Sequence, residues 1–372
     1  MVFDSVTSVS RCVVIVLSFA AISPISVHAQ AADEALNAGF SALDKNDADR
    51  AATAFRRALA AEPEHPVALY GAGAAAFLQG RQTDAIGFLK RALQREPRLV
   101  QASALLGEIA YRQGDLSLAI TTYENALALS PGTVELRERL ATLRSEATVH
   151  NSLGAFKDDR FTILFNGPAN RVLAERATKV LRDAFWRIGQ TLGSYPSNPL
   201  NVVLYTDQQF RDITGAPDWA GAGYDGQIRM PVAGAAQNLP EFDRILTHEL
   251  THAMLHNIAA RNVPAWLNEG LAMYFEGNNA AASEKRLAAA RAFVPLAQLD
   301  REFTGLSAQQ ADLAYEMSAF AANTLLTRIG VGNLRFLLQD LDRGSAFDAA
   351  VQRFGLTMAE FESALKKRVG SR

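Results

Sequence analysis

His248-Glu249-Leu250-Thr251-His252, with sixteen residues separating His252 from Glu269 in Trp266-Leu267-Asn268-Glu269-Gly270-Leu271-Ala272, is the stretch from which the rest of the chain is read. On an α-helix, residues four apart share a face, so His248 and His252 can address one metal ion. Glu249 lies one step round, where it reaches a water held by that ion rather than the ion itself. Zn²⁺ accepts imidazole and carboxylate ligands, and catalytic zinc sites combine three protein ligands with water. The third ligand must come from elsewhere, and Glu269 on the next helix is the donor expected. Ile245, Leu246, Leu250, Ala253, Met254 and Leu255 surround the histidines, which makes this helix largely buried. Imidazoles and a carboxylate inside it would be costly without partners, and ligation removes that cost. The competing reading is a solvated helix surface that happens to fit the pattern.

The chain of 372 residues is long enough for two ordinary domains. Its 37 basic and 39 acidic residues give no bias toward nucleic acid or anionic membrane surfaces. The start reads as a leader: Arg11 precedes an apolar run at 12–22, and Val27-His28-Ala29 offers a small-residue cleavage site. Cleavage after Ala29 would leave Gln30 first and make residues 1–29 a signal peptide. The run is short for a membrane anchor, and no later segment is apolar enough to span a bilayer. Cys12 is the sole cysteine, so the mature chain has no disulfide. The expectation is an exported protein, periplasmic or secreted.

Residues 31–148 repeat themselves with a period of 34. Gly39, Gly73 and Gly107 recur at that spacing, as do Phe55, Leu89 and Tyr123, and Pro63, Pro97 and Pro131. Ala42, Ala76 and Ala110, and then Ala51, Ala85 and Ala119, follow the same register. Gly80 and Gly114 supply the turn inside the second and third units, where the first has Asn46. This pattern resembles the tetratricopeptide repeat, an α-helical solenoid of helix-turn-helix units. Residues 133–148 read as a capping helix with a charged outer face. Such arrays bind peptides or partner proteins on a concave surface. Alternatively these three units only pack on the second domain as a lid or spacer.

Residues 150–372 read as an α+β domain. Strands are expected at 161–165, 200–205 and 227–232, with a long amphipathic helix at 170–192. A short helix at 208–214 and a Gly-rich loop at 219–223 precede the last strand, which Pro231 marks as a sheet edge. The order strand, helix, strand, edge strand, HExxH helix, Glu helix resembles the gluzincin metallopeptidases, most closely the peptidase-MA-like group, and implies a zincin-like fold. In those families the edge strand lies beside the zinc cleft and pairs with an extended substrate backbone. A metzincin is excluded because Leu255 and Ile258 stand where its glycine and third histidine would be. His256 falls on the His252 face, but three ligands along one straight helix cannot converge, so it reads as an outer or surface residue.

The resemblance implies zinc held by His248, His252 and Glu269, with Glu249 as general base. It also implies a tyrosine near Tyr315, whose hydroxyl would donate to the oxyanion; the competing reading makes Tyr315 a core aromatic. Arg229 is a weaker candidate for contact with a substrate carboxylate or carbonyl. Some gluzincins carry an acid four residues after the glutamate ligand that orients a histidine. Here Met273 stands there, and Glu276, seven after the ligand, is the nearest acid. The aminopeptidase signature Gly-x-Met-Glu-Asn is absent, which favours an endopeptidase acting on peptide or protein substrates. The alternative is a scaffold whose peptidase-like domain binds without turnover.

Overall fold

The computed structural model describes residues 27–45, 47–215, 221–300 and 303–370. The expected leader up to residue 26, the turn residue Asn46 and residues 216–220 lie outside the described residues. The chain divides into two compact units between residues 148 and 149.

The first unit is a run of helices: α1 (Val27–Asp44), α2 (Ala48–Ala61), α3 (Pro66–Leu78), α4 (Gln82–Arg95), α5 (Val100–Arg112), α6 (Leu116–Leu129) and α7 (Val134–His150). The 34-residue period is one packing contact made three times. Gly39 on α1 faces the Phe55 ring of α2, Gly73 on α3 faces Leu89 of α4, and Gly107 on α5 faces Tyr123 of α6. In each pair the bare glycine lets two helices cross closely over a buried large side chain. Gly80 and Gly114 turn the chain between paired helices at φ +72° and +76°, a region that favours glycine. Asp47 and Asp115 cap α2 and α6, each accepting a backbone N–H three residues on at 3.1 and 2.9 Å.

The second unit holds a five-stranded sheet in the order β1-β2-β3-β5-β4. These strands are β1 (Gly154–Lys157), β2 (Phe161–Phe165), β3 (Leu200–Tyr205), β4 (Gly223–Tyr224) and β5 (Ile228–Pro231). β2, β3 and β5 run parallel, and β1 and β4 close the two edges antiparallel. β5 is therefore not the edge along its whole length, as Pro231 had suggested. The short β4 covers it, pairing Gly223 with Arg229 and Tyr224 with Ile228. Two polar-flanked segments too short to show alternation, β1 and β4, are the strands that sequence reading omits.

Helix α8 (Arg171–Leu192) connects β2 to β3 and buries Leu173, Ala177, Leu181, Ala184 and Ile188 at helical spacing. It ends at Gly193, in the left-handed region at φ +61°. After α9 (Asp207–Thr214) and the β4–β5 hairpin come α10 (Leu239–His256), α11 (Ala265–Glu276), α12 (Ala280–Ala290), α13 (Ala308–Ile329), α14 (Leu334–Asp342), α15 (Phe347–Gln352) and α16 (Met358–Gly370). One continuous core joins the sheet to these helices, with Phe161, Phe185, Phe242, Trp266 and Phe320 at or below 1% exposure. Among the described residues no helix is long and apolar enough to cross a membrane.

Candidate metal centre

α10 carries the HELTH sequence. Asn238 caps its start by accepting from Glu241 N at 3.3 Å, and Pro240 sits in its first turn, where its missing N–H costs nothing. Leu246, Leu250 and Met254 face the core at 0% exposure. The opposite stripe, through Ile245, His248, Glu249 and His252, turns to α11 and the sheet edge. Thr251, fully buried on the same helix, satisfies its hydroxyl on the Thr247 carbonyl at 2.8 Å.

The turn between α10 and α11 decides where Glu269 falls. Asn262 takes φ +58° and donates from Nδ2 to the Leu341 carbonyl at 3.2 Å. Arg261 donates to the Asp342 carbonyl at 2.6 Å, and Ala260 N donates to Asp342 Oδ1 at 3.1 Å. The end of α14 thus holds the turn in place. Pro264 caps α11 rather than occupying its first position, which is Ala265. On its far side α11 meets α13 at Gly270, where a Cβ would collide with the Ser318 carbonyl oxygen and lie 2.6 Å from Ala322 Cβ. The glycine beside Glu269 is what lets the two helices approach.

These constraints bring His248, His252 and Glu269 together, their ligand atoms all within 4.8 Å of one another. Glu269 Oε2 lies 3.2 Å from His248 Nε2 and 3.5 Å from His252 Nε2. The two imidazoles meet edge-on, centroids 4.8 Å apart at 79°. The side chains are 13%, 11% and 21% exposed, so the group is reachable from solvent but mostly enclosed. Two imidazole nitrogens and a carboxylate oxygen aimed at one point form a donor set that could hold a divalent cation. In the metal-free chain, burial opposes charge on His248, but hydrogen bonds to Glu269 and Glu276 prevail and push it up to about 10. Burial likewise opposes ionisation of Glu269, and the two histidines overcome it, holding the carboxyl well below the usual range.

Glu249, 6% exposed, has no hydrogen-bond partner among the described residues. A buried carboxylate is rarely left so, and its place one step round from His248 keeps it free to handle a proton. Tyr315 on α13 faces the same carboxylates. The charge of Glu269, then burial, then Glu249 and Glu276 push its hydroxyl far above the usual phenol range, so it stays a protonated donor. The Phe303 ring meets it edge-on at 5.3 Å.

Met273 leaves open the question of what orients the histidines, and Glu276 answers it. His248 Nδ1 donates to Glu276 Oε2 at 2.8 Å, which turns Nε2 toward Glu269. Seven residues make two helical turns, so Glu276 lies on the Glu269 face of α11; that spacing is the signal in the sequence. His252 Nδ1, by contrast, is buried without a partner among the described residues.

One expectation is corrected. Arg229 is not in the cleft: it is 2% exposed, with its guanidinium 3.0 Å from Asp225 and donating to the Tyr205 hydroxyl at 2.7 Å. A buried guanidinium needs that carboxylate, so Arg229 ties the β4–β5 turn to β3. His256 lies outside the donor set, and its ring packs edge-on against Tyr224 of β4, centroids 6.0 Å apart. The edge strand beside the motif helix is therefore β4.

Tetratricopeptide repeat models match residues 36–99 and 89–134. The first tetratricopeptide domain of Spaghetti (RPAP3), solved bound to the HSP90 peptide SRMEEVD, is 20% identical to this chain. That similarity covers 32% of this chain and 94% of the other, with a TM-score of 0.30. No curated protein matches the chain. The Peptidase MA superfamily model matches residues 180–369, a span that contains α10, α11 and α13 with every residue of the candidate centre. The chain belongs to the Peptidase MA superfamily.

Proposed function

We propose that this protein is an exported zinc-dependent metallopeptidase, an endopeptidase whose repeat unit recruits a protein partner or substrate. The observation that carries the reading is the His248–His252–Glu269 donor set with a buried, unpartnered Glu249 beside it. A divalent cation bound there supplies Lewis acidity toward a carbonyl and lowers the pKa of water. His248 and His252 offer Nε2, and Glu269 one carboxylate oxygen. Glu249 takes the proton from the attacking water and delivers it to the leaving amine nitrogen. Tyr315 donates its hydroxyl proton in a hydrogen bond to the carbonyl oxygen as charge builds there. An extended peptide fits alongside β4, whose outer edge is unpaired among the described strands. A cavity of about 380 Å³, lined by Phe210, Met230, Phe242 and Ile245 with Arg211 and Glu241, continues along the same stripe of α10.

Glu249→Gln tests the mechanism. It keeps the shape of the side chain but cannot accept the proton, so zinc content should stay at wild-type level while hydrolysis of an unfolded protein drops by about 10²–10⁴-fold. Turnover at the wild-type rate in that variant removes Glu249 from the mechanism, and wild-type turnover unaffected by chelator removes the metal. A non-catalytic scaffold draws its main support from Met273, and Glu276 supplies the contact that Met273 lacks. Export rests on Arg11, the apolar run 12–22 and Val27-His28-Ala29. N-terminal sequencing of the mature protein should begin at Gln30, and a retained Met1 on an exported chain sinks the cleavage site.

A further inference from the structure

Arg244 stands four residues before His248, one turn along the same face of α10. Its Nη1 donates to Glu276 Oε2 at 2.7 Å, the oxygen that also accepts from His248 Nδ1 at 2.8 Å. The other edge of the guanidinium grips Glu241 at 2.8 and 2.6 Å. The Glu276 side chain is fully buried, whereas that of Arg244 is 42% exposed and touches none of the three candidate ligands. Glu276 is also the last residue of α11, directly before Gly277 at φ +91°, so the helix itself does little to fix its carboxylate. The other oxygen, Oε1, is buried with no partner among the described residues. Everything that aims this carboxylate therefore comes from α10, and one of its two donors is the imidazole it is meant to orient.

We infer that Arg244 is a positioning residue for the metal centre: through Glu276 it fixes the ring direction of His248. This rests on the metal-site reading above. A single hydrogen bond between two side chains that both rotate sets neither of them. Arg244, itself clamped by Glu241, gives the carboxylate a fixed second contact and supplies the countercharge that its burial requires. The bland alternative is that Arg244 makes only a half-exposed i, i+3 pair with Glu241, which would have little effect on anything.

The two differ in zinc affinity, measured on the full chain by chelator competition. Losing an outer partner of a ligand weakens metal binding by roughly 10–100-fold. Arg244→Met and Glu276→Gln should each show such a loss, with Arg244→Lys in between. If Arg244 acts through Glu276, adding Arg244→Met to Glu276→Gln should cost no more than about twofold further. Arg176→Met removes a different bond, to Asp243 on α10 at 2.6 Å, and should leave zinc affinity unchanged. Circular dichroism in chelator checks that each variant is folded; should Arg244→Met unfold, Arg244→Lys carries the test. Wild-type affinity in a folded Arg244 variant, or losses that add in the double variant, overturns the inference. A wild-type chain that binds no zinc instead overturns the metal-site reading.

Discussion

The repeat unit and the peptidase-like unit both rely on glycines at helix crossings, and they use them differently. In the repeats, Gly39, Gly73 and Gly107 face Phe55, Leu89 and Tyr123, so one contact is made three times between sequence neighbours. In the second unit Gly270 meets the Ser318 backbone once, and the residue beside it is Glu269. The repeats spread stability over equivalent joints, while the second unit concentrates buried polar groups where no other joint can compensate. Glu249 is 6% exposed, and the side chain of Glu276 is fully buried. Each is tolerable only while the helices around it hold their places.

Replacing one glycine in each unit by alanine tests that difference most sharply. In Gly73→Ala the new methyl meets Leu89 Cγ at 2.9 Å and Cδ2 at 3.0 Å, with the Ala85 carbonyl oxygen further off at 3.3 Å, so the closest contact is to a side chain rather than backbone. In Gly270→Ala it meets backbone oxygen, and α11 or α13 must move. Overpacking of this kind costs about 1–3 kcal/mol and sometimes more. Gly270→Ala should lie at or above the top of that range by denaturant unfolding and also lose zinc, whereas Gly73→Ala should lie near the bottom and keep it. Equal losses in the two would break the contrast between distributed and concentrated packing.

Tyr315→Phe comes next. Removing one donor to a developing oxyanion costs about 10²–10³ in kcat. The expected result is a fall of that order in kcat, with zinc affinity unchanged, because the hydroxyl serves the transition state only. Unchanged kcat would return Tyr315 to the core-aromatic reading, supported by its contact with Phe303.

The two units also differ in how legible they are from sequence. The repeats are read almost completely, because a 34-residue period in Gly39, Phe55 and Pro63 reports contacts between near neighbours. In the second unit, local pattern finds α8, α10 and α11 and brings His248, His252 and Glu269 to one point. It does not find β4, since a two-residue strand carries no alternation to detect. It also misplaces Arg229: nothing local shows that Tyr205 and Asp225 close around that side chain. Glu276 was open to a reading by face rather than by fixed offset from the ligand. Its link to Arg244 crosses 32 residues and exists only once α10 and α11 are folded together.

The mildest test is pH, and it separates the units by where their groups titrate. In the metal-free chain His248 is raised from 6.5 to about 10, so it contributes stability that is full below 6.5 and lost as pH rises through 10. Glu269 is lowered from 4.5, so its contribution is present above 4.5 and lost as pH falls through its folded value. In the repeats, burial pushes Tyr70 and Tyr123 up to about 12, beyond this window, and Glu64, lowered by Arg95 and Arg91, titrates below it. Between pH 6.5 and 9 the chelated protein should therefore lose stability gradually, and the loss belongs to the second unit. Zinc reverses the sign, because ligation needs His248 neutral and strengthens as protons leave. Thermal unfolding followed across that window, with chelator and with excess zinc, should give curves that diverge as pH rises. Parallel curves would mean that the proton on His248 and the metal do not compete for the same nitrogen.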